Sequence, residues 1–266
     1  MACLMVSLIP SVKSRPFSKY QGAGNDFIVL DNRKNIFTVD RAEIKKLCHR
    51  RLGIGADGII WLTDSKTADF GMRIFNADGS EAEMCGNGVR CLAAFLRRSC
   101  ISTKEKFSLE TMQRQLTVTF QGSIIEVEMG APTHIARHTD LTVLNTGVPH
   151  AVIFNEKIEA LEISRLGPEI RYHARFAPQG VNVNFVEKIG PSALAIRTYE
   201  RGVEAETLAC GTGCTAAAIA AHLVLEMPSP ITVKTASDEL LTISFTPDFQ
   251  DVKMAGNATF VFEGHL

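Results

Sequence analysis

The chain has 266 residues, a formal net charge of −1 and an apolar content of 45%. It is long enough for one large domain or two smaller ones with buried cores, and its charged fraction of 21% argues against disorder. The sequence has no basic stripe and no apolar run near the ~18 residues of a membrane span, so we expect neither nucleic-acid nor membrane binding.

The first 16 residues are predicted to be an N-terminal extension. They contain no Asp or Glu, and their apolar patch at 4–9 is too short and too poorly flanked for a secretion signal. A transit peptide is the alternative interpretation.

Short strands dominate the rest of the chain. They are β-branched or aromatic, often alternate apolar with polar residues, and are bounded by Gly, Pro, Asn or Asp. In chain order the predicted strands are 27–31, 59–63, 72–75, 116–120, 124–129, 151–154, 183–186, 194–199, 231–234, 240–245 and 259–262. The segment Gln121-Gly122-Ser123 joins two of them and is typical of a hairpin turn.

Three helices are predicted between these strands, and the first covers 40–52. Asp40 can cap its start, with Glu43 three residues later, and Gly53 is typical of a helix end. The second and third helices follow Gly88 and Gly213. Each carries apolar residues at helical spacing: Val89, Leu92, Ala93 and Leu96 in the second, and Ala216, Ile219, Ala220 and Leu223 in the third. On the second helix we expect three arginines to face water: Arg90, Arg97 and Arg98.

The last two helices open with the same pattern, Cys-Gly-Xaa-Gly. One reads CGNGVRCLAAFL (85–96), the other reads CGTGCTAAAIAAHL (210–223), and both lie among strands. This match predicts an internal duplication, with two similar domains and one Cys-Gly turn in each. A pseudo-twofold arrangement would bring the two helix starts face to face across a cleft.

The predicted fold is therefore α/β (α+β). It has two pseudo-symmetric strand-rich domains, each wrapped around a central helix that begins at a Cys-Gly turn, with the active site in the interdomain cleft. The domains are predicted at 17–132 and 133–266, and the last ~10 residues are candidates to pack on the first domain.

A cysteine at a helix start has a chemical reason to be there. The first amides of a helix lack internal partners and carry partial positive charge, so they bind a carboxylate and stabilise a thiolate. Two such turns facing each other offer one carboxylate site with a sulfur on each side of the neighbouring carbon. This arrangement predicts a racemase or epimerase in which Cys85 and Cys210 move a proton from one face of an α-carbon to the other.

The seven cysteines also allow other interpretations. Their odd number and wide scatter argue against a disulfide framework and favour a reducing cytoplasm. Cys91 is expected in the core, and packing is also favoured for Cys214, although it lies on roughly the same side as Cys210. A zinc site would need C-x5-C and C-x3-C spacings that do not match usual ligand sets, and no lysine has the context of a pyridoxal phosphate site. We therefore expect no metal and no cofactor. The remaining cysteines have no polar context that indicates a role: Cys3, Cys48 and Cys100.

With these segments in view, the chain resembles the diaminopimelate epimerases, pyridoxal-independent enzymes that convert LL-diaminopimelate to the meso form. The resemblance runs from about residue 17 to the C-terminus. It rests on GAGNDFIVLDNR (22–33), GIGADGII (53–60), RIFNADGSEAEMCGNGVRC (73–91), GVNVNFVE (180–187) and YERGVEAETLACGTG (199–213). The two mirrored α/β domains of that family agree with the duplication inferred above.

The resemblance implies roles for particular residues. It makes Cys85 and Cys210 the two proton-transfer groups, and it implies that four residues supply amides to the reacting carboxylate: Gly86, Asn87, Gly211 and Thr212. It further implies that five side chains bind the remaining polar groups of the substrate: Asn25, Asn76, Asn182, Glu200 and Arg201. His150 is a candidate for setting cysteine protonation.

Two departures from the family pattern lie near these residues. The family often has Gly-Asn-Pro-His where this chain has Val148 in the second position, and Asn145 is a candidate to replace the missing amide. A single Gly in the family is replaced by Glu204-Ala205.

The expected substrate is diaminopimelate, in lysine and cell-wall precursor biosynthesis. The alternatives are another amino acid, such as glutamate, proline or hydroxyproline, or a zinc or thiol-redox protein. We expect a small-molecule partner and leave a homodimer open.

Overall fold

The computed structural model describes residues 15–82 and 84–266. Residues 1–14 of the predicted N-terminal extension, with Cys3, therefore lie outside the described residues. Pro16, the last residue of that extension, already begins the first strand.

Strands are the commonest regular element of the described chain, and one continuous sheet links them. In chain order they are β1 (Pro16–Gly22), β2 (Asn25–Asp31), β3 (Gly58–Thr63), β4 (Phe70–Asn76), β5 (Glu81–Ala82), β6 (Lys106–Glu110), β7 (Gln115–Gln121), β8 (Ile124–Glu128), β9 (Thr133–Arg137), β10 (Thr142–Asn145), β11 (Pro149–Phe154), β12 (Asn182–Gly190), β13 (Ala193–Glu200), β14 (Ala205–Thr207), β15 (Ile231–Lys234), β16 (Leu240–Phe245), β17 (Val252–Gly256) and β18 (Thr259–His265).

The other regular elements among the described residues are four α-helices and two short 3-10 turns. The helices are α1 (Arg41–Cys48), α2 (Gly86–Arg98), α3 (Ile163–Arg171) and α4 (Gly211–Leu225), and the 3-10 turns are Ile158–Ala160 and Ala174–Phe176. No helix among the described residues is long and apolar enough to cross a membrane.

The order of pairings repeats from one half of the chain to the other. In the first half β1 and β2 are antiparallel, β2 and β3 parallel, β3 and β4 antiparallel, and β4 and β6 parallel. In the second half β10 and β11 are antiparallel, β11 and β12 parallel, β12 and β13 antiparallel, and β13 and β15 parallel. Helices α1 and α3 occupy equivalent places, as do α2 and α4. The predicted mixed α/β duplication is confirmed at this level.

The two halves are joined through the last two strands of each half. β8 pairs with β17, which makes the sheet continuous from one half to the other. β18, at the end of the second half, pairs with β1 of the first, whereas β9 pairs with β10 of the second. Each half therefore contributes its final strand to the other half.

The core surrounds the two long helices. α2 contacts β1, β2 and β8, and α4 contacts β10 to β13 and β15 to β16. From Gly213 to Ala221 every residue of α4 is buried, because its small side chains let strands approach it from all sides. Cys91 and Cys214 belong to this core, as predicted for Cys91 and favoured for Cys214.

The predicted helix ends needed three corrections. α2 and α4 begin at Gly86 and Gly211, three residues earlier than predicted, because the preceding cysteines are the extended cap residues. α1 has the predicted cap, with Asp40 accepting from the amides of Ala42 and Glu43, but it ends at Cys48. Nδ1 of His49 then accepts hydrogen bonds from the amides of Arg51 and Leu52, where the chain leaves the helix.

Arg90 was wrongly expected to face water. It has 0% exposure and is the largest fully buried side chain among the described residues. Its position on α2 faces β1 and β17 and not the solvent, so it must satisfy its donors inside the protein.

Candidate active site

Cys85 caps the start of α2. Its backbone is extended, with φ −143° and ψ 116°, and its Sγ accepts from the amide of Gly88 at 3.4 Å. The same sulfur lies 3.5 Å from Oδ1 of Asn25, to which a thiol can donate. The cap therefore presents this sulfur to donors from its own helix and to an acceptor from β2.

Cys210 has the same place at the start of α4. Its backbone is also extended, with φ −125° and ψ 109°, and its side chain is 8% exposed. Its Sγ lies 3.4 Å from the hydroxyl of Thr212. Gly213 is required here, because a Cβ at that residue would lie 2.5 Å from Oδ1 of the buried Asn184.

The two helix starts meet at a shared contact. A Cβ at Gly86 would lie 2.6 Å from Cε of Met254, and one at Gly211 would lie 3.0 Å from Sδ of the same side chain. Nδ2 of Asn87 also donates to the carbonyl of Ala209 at 3.4 Å. The sequence pattern placed these turns in separate halves. The structure brings them together at one seam, which consists of Gly86, Asn87, Ala209, Gly211 and Met254.

Both cysteines have raised pKa values. Burial is the main cause for the Cys85 thiol, and hydrogen bonding from the Gly88 amide opposes it. Burial also raises the pKa of Cys210 well above its ordinary value, and the negative charge of Glu200 raises the pKa of both. The helix amides therefore only partly offset desolvation, and both sulfurs rest as thiols near neutral pH when no substrate is present.

Asn25 is oriented by a hydrogen bond to a cluster of charged side chains. Its Nδ2 donates to Asp57 at 2.8 Å, which turns Oδ1 toward Cys85 and Asn87. Arg50 bridges Asp57 and Asp26 at 2.6 and 2.7 Å. The orientation of this amide is therefore set by charged groups outside the seam.

His150 lies in a buried polar network beside α4. Its Nδ1 is 3.1 Å from Nδ2 of Asn184, whose Oδ1 accepts from Thr198 at 3.0 Å. Its Nε2 has no hydrogen-bond partner among the described residues. Burial lowers the pKa of His150 to about 3, and the charge of Arg201 acts in the same direction. The imidazole is therefore neutral at physiological pH.

Three of the implied substrate-binding residues cluster at the end of β13. Oδ1 of Asn182 accepts from the amide of Arg201 at 2.8 Å, and Glu200 accepts from the hydroxyl of Thr207 at 2.9 Å. Burial raises the pKa of Glu200. The guanidinium of Arg201 donates to the carbonyl of Gln179 at 3.5 Å.

Two other implied residues are engaged in local turns. Asn76 is exposed and donates to Ser80 at 3.0 Å. Asn145 accepts from the amide of Gly147 at 2.9 Å. The carbonyl of Thr212 accepts from the hydroxyl of Thr146 at 2.8 Å, so the turn that contains Asn145 is tied to the start of α4.

The diaminopimelate epimerase family model matches both halves of the chain, over residues 17–135 and 142–261. The diaminopimelate epimerase of Aquifex aeolicus is 41% identical, with 94% of this chain and 97% of the relative covered. That of Flavobacterium psychrophilum is also 41% identical, with coverage of 92% and 97%. The chain belongs to the diaminopimelate epimerase family. The resemblance inferred from the sequence is thereby confirmed.

More distant solved structures share the fold of this family member. A PhzF-family phenazine biosynthesis protein of Bacillus anthracis matches with a TM-score of 0.75 at 14% identity, covering 96% of this chain and 99% of that one. A hydroxyproline epimerase of Agrobacterium vitis matches with a TM-score of 0.69 at 14% identity, covering 97% and 94%. At this identity the likeness concerns the fold alone.

The structure adds residues to this family member's seam that the sequence analysis did not single out. Met254 and Asn184 lie in strands with ordinary apolar or alternating patterns, so only their three-dimensional contacts identify them. Asp57, which orients Asn25 from outside the seam, lies inside a quoted motif, and its charge within an apolar segment was an available signal. Among the described residues no group of three or more His, Cys, Asp or Glu side chains is arranged to hold a metal ion.

Proposed function

We propose that this protein inverts one α-carbon of LL-diaminopimelate to give the meso form, and that Cys85 and Cys210 transfer the proton. The observation that carries the proposal is the meeting of two cysteine-capped helix starts at one seam, in a member of the diaminopimelate epimerase family. The active site is the cleft at this seam, between the two halves.

The substrate's α-carboxylate binds the amides at the two helix starts. The amides of Gly86, Asn87, Gly211 and Thr212 lie in the first turns of α2 and α4, where helical amides lack internal partners. Glycine at the first position of each helix lets a carboxylate approach the backbone closely. As negative charge develops on the α-carbon and carboxylate, these donors stabilise it in a site from which water is excluded.

The two sulfurs then act on opposite faces of the α-carbon. One cysteine, as the thiolate, removes the α-hydrogen as a proton, and the C–H electron pair stays on the carbon and carboxylate. The other cysteine, as the thiol, donates its proton to the opposite face. Each turnover therefore leaves the thiol and the thiolate exchanged, and because the two titrations are coupled no single pKa belongs to either residue.

Formation of the first thiolate requires a change on substrate binding. In the free protein burial raises the pKa of both thiols. Closure around a zwitterionic substrate adds an ammonium group near the negative charge of Glu200. The ammonium charge lessens the extent to which Glu200 raises the pKa of the two cysteines. His150, neutral and with Nε2 unpartnered, is suited to accept or donate a hydrogen bond at this side of the site.

The remaining polar groups of the substrate are bound by polar side chains from both halves. Arg201 has the planar fork that pairs with a carboxylate, and Asn182 holds its backbone amide. Glu200 pairs with an ammonium group, and Asn25 and Asn76 supply further donors and acceptors. No cofactor takes part in this mechanism.

Two further expectations accompany this function. The six described cysteines are all free, which fits a reducing cytoplasm. A homodimer stays a prediction, which light scattering during size-exclusion chromatography measures directly.

Incubation with LL-diaminopimelate tests the function. We expect the purified protein to convert it to a mixture with the meso form, resolved by chiral chromatography. No conversion by the folded protein would contradict the proposal. Conversion of proline or glutamate in preference to diaminopimelate would assign a different substrate to the same chemistry.

A further inference from the structure

Arg90 is a buried cation without an acidic partner. It lies on α2 five residues after Cys85, with 0% exposure, and among the described residues no carboxylate forms an ion pair with it. A buried guanidinium without a counter-charge opposes folding unless other groups compensate. Burial accordingly lowers the pKa of Arg90.

The site around the guanidinium is closely fitted. A Cβ at Gly22 would lie 3.3 Å from Nη2, and one at Gly256 would lie 3.4 Å from Nε. Both glycines therefore leave room for the guanidinium between β1 and the end of β17. The carbonyl of Asn257 accepts from Nε at 3.1 Å.

The other contacts of Arg90 lead to the seam. Nη2 donates to Oδ1 of Asn87 at 2.8 Å, and Nη1 lies 3.5 Å from Sδ of Met254. Because Oδ1 of Asn87 is occupied, its Nδ2 is directed to the carbonyl of Ala209 and to Asn25. Arg90 thus contacts the two side chains that join the helix starts.

The guanidinium also places positive charge behind these helix starts. The groups that interact with it electrostatically are three cysteines and one carboxylate: Cys85, Cys91, Cys214 and Glu239. Its charge lowers the pKa of Cys85, whereas Glu200 raises it. The seam therefore has a fixed cation whose charge opposes that of Glu200 at Cys85.

We propose that Arg90 is a positioning residue that fixes Asn87 and Met254 between the two cysteine-capped helix starts and supplies fixed positive charge behind the carboxylate-binding amides. This inference rests on the proposed function for its catalytic part. Its structural and electrostatic parts concern Cys85 itself and are measurable without turnover.

Three variants test the proposal: Arg90→Met, which removes the charge and the donors, Arg90→Lys, which keeps the charge and loses the fork, and Arg98→Met as the control. Arg98 is on the same helix, and its side chain is half exposed. The first readout is the rate of iodoacetamide alkylation against pH, followed by mass spectrometry of the peptide that contains Cys85. The second is kcat and KM for diaminopimelate, and the third is the melting temperature.

We expect Arg90→Met to alkylate Cys85 about tenfold more slowly at a given pH below the thiol pKa, which corresponds to a rise of one pKa unit. Its kcat should fall at least tenfold, with a smaller change in KM. Its melting temperature should stay near the wild-type value, because removing a buried unpaired charge relieves desolvation. Arg98→Met should match the wild type in all three readouts.

Arg90→Lys separates charge from orientation. We expect an alkylation profile close to that of the wild type but a reduced kcat, because an ammonium cannot hold Asn87, Met254 and Asn257 together. If Arg90→Met does not fold, this variant decides: an unchanged kcat overturns the positioning role. A folded Arg90→Met protein with wild-type alkylation and kcat overturns the proposal entirely. Altered alkylation in a protein that does not epimerise diaminopimelate would leave Arg90's role standing and reject the proposed function.

Discussion

Nδ2 of Asn87 donates to the carbonyl of Ala209 at 3.4 Å and so joins the first turn of α2 to the residue before Cys210. The two residues are 122 positions apart in the chain. The contact explains how a duplicated fold can become one active site, since the cap of each helix is held relative to the other. A small shift in this contact would change the distance between the two sulfurs, to which proton transfer is sensitive.

His150 should make stability depend on pH. The folded protein holds it neutral, with its pKa lowered to about 3 by burial, whereas the unfolded chain binds a proton below about pH 6.5. The unfolded state therefore takes up more protons as the pH falls. Between about pH 6.5 and pH 3, this group lowers the free energy of unfolding by about 1.4 kcal/mol for each unit by which the pH falls.

Urea denaturation of the wild type and of His150→Gln at pH 4.5 to 7 measures this dependence. We expect a shallower slope in the variant, whatever its stability at pH 7. His138→Gln replaces an exposed histidine and should keep the wild-type slope. Equal slopes for wild type and His150→Gln would mean that the imidazole is not held neutral.

Val148 should relax selection at the distal end of the substrate. A site that hydrogen-bonds every polar group rejects analogues that leave its own groups unpaired, and a valine removes one such requirement. Asn145, the candidate replacement, already uses its Oδ1 to accept from Gly147. We expect diaminopimelate to be the best substrate and glutamate to be inverted slowly. The selectivity for diaminopimelate over glutamate should be relaxed roughly 10- to 100-fold, since a lost amide contact corresponds to about 1–3 kcal/mol.

The measurement is kcat/KM for diaminopimelate and glutamate in the wild type and in Val148→Asn. The asparagine should increase the preference for diaminopimelate. An unchanged ratio would show that Val148 does not set the substrate range, and absence of any glutamate inversion by the wild type would reject relaxed selection.

Glu204 should position the loop that contains Arg201. It has a left-handed backbone with φ +58°, and its carboxylate accepts from Arg171 at 3.0 Å and from Tyr172 at 2.8 Å. These contacts tie the β13–β14 turn to α3. We expect Glu204→Gln to raise KM for diaminopimelate roughly fivefold with little change in kcat, as for a partly exposed ion pair that contributes about 1 kcal/mol.

Glu206→Gln is the matched control for this loop. Glu206 pairs with Arg197 on the neighbouring strand, so the charge change is the same but the Arg201 loop keeps its contacts. Steady-state kinetics of both variants distinguishes them. A KM that rises equally in the two variants would mean that the effect is one of overall charge.

The repeat and the place of the two cysteines at helix starts could be predicted because each has a local signature. Cys-Gly-Xaa-Gly before an apolar helix needs no three-dimensional information, and each predicted strand corresponds to a strand of the structure. α3 was missed because Gly167-Pro168 within it is normally a helix-breaking signal. Short strands such as β10 and β14 lacked enough residues to show alternation.

The contacts at the seam could not be predicted, because they join residues far apart in the chain. Nothing local distinguishes Met254 from any other apolar strand residue. Arg90 was misassigned for a related reason: an arginine on a helix is usually solvated, and only the arrangement of Gly22, Gly256 and Asn87 around it makes burial feasible.

Inversion in heavy water tests the two cysteines, on which the proposed mechanism most directly depends. With LL-diaminopimelate in D₂O, the wild type should form meso product that carries deuterium at the inverted α-carbon. Cys85→Ala and Cys210→Ala should each lower kcat by roughly 10²- to 10⁴-fold, as expected for the loss of a general acid or base, while remaining folded. Cys91→Ala, which changes a buried core cysteine of the same helix, should keep its activity. Inversion by either folded active-site variant at a rate within tenfold of the wild type would contradict the two-cysteine mechanism.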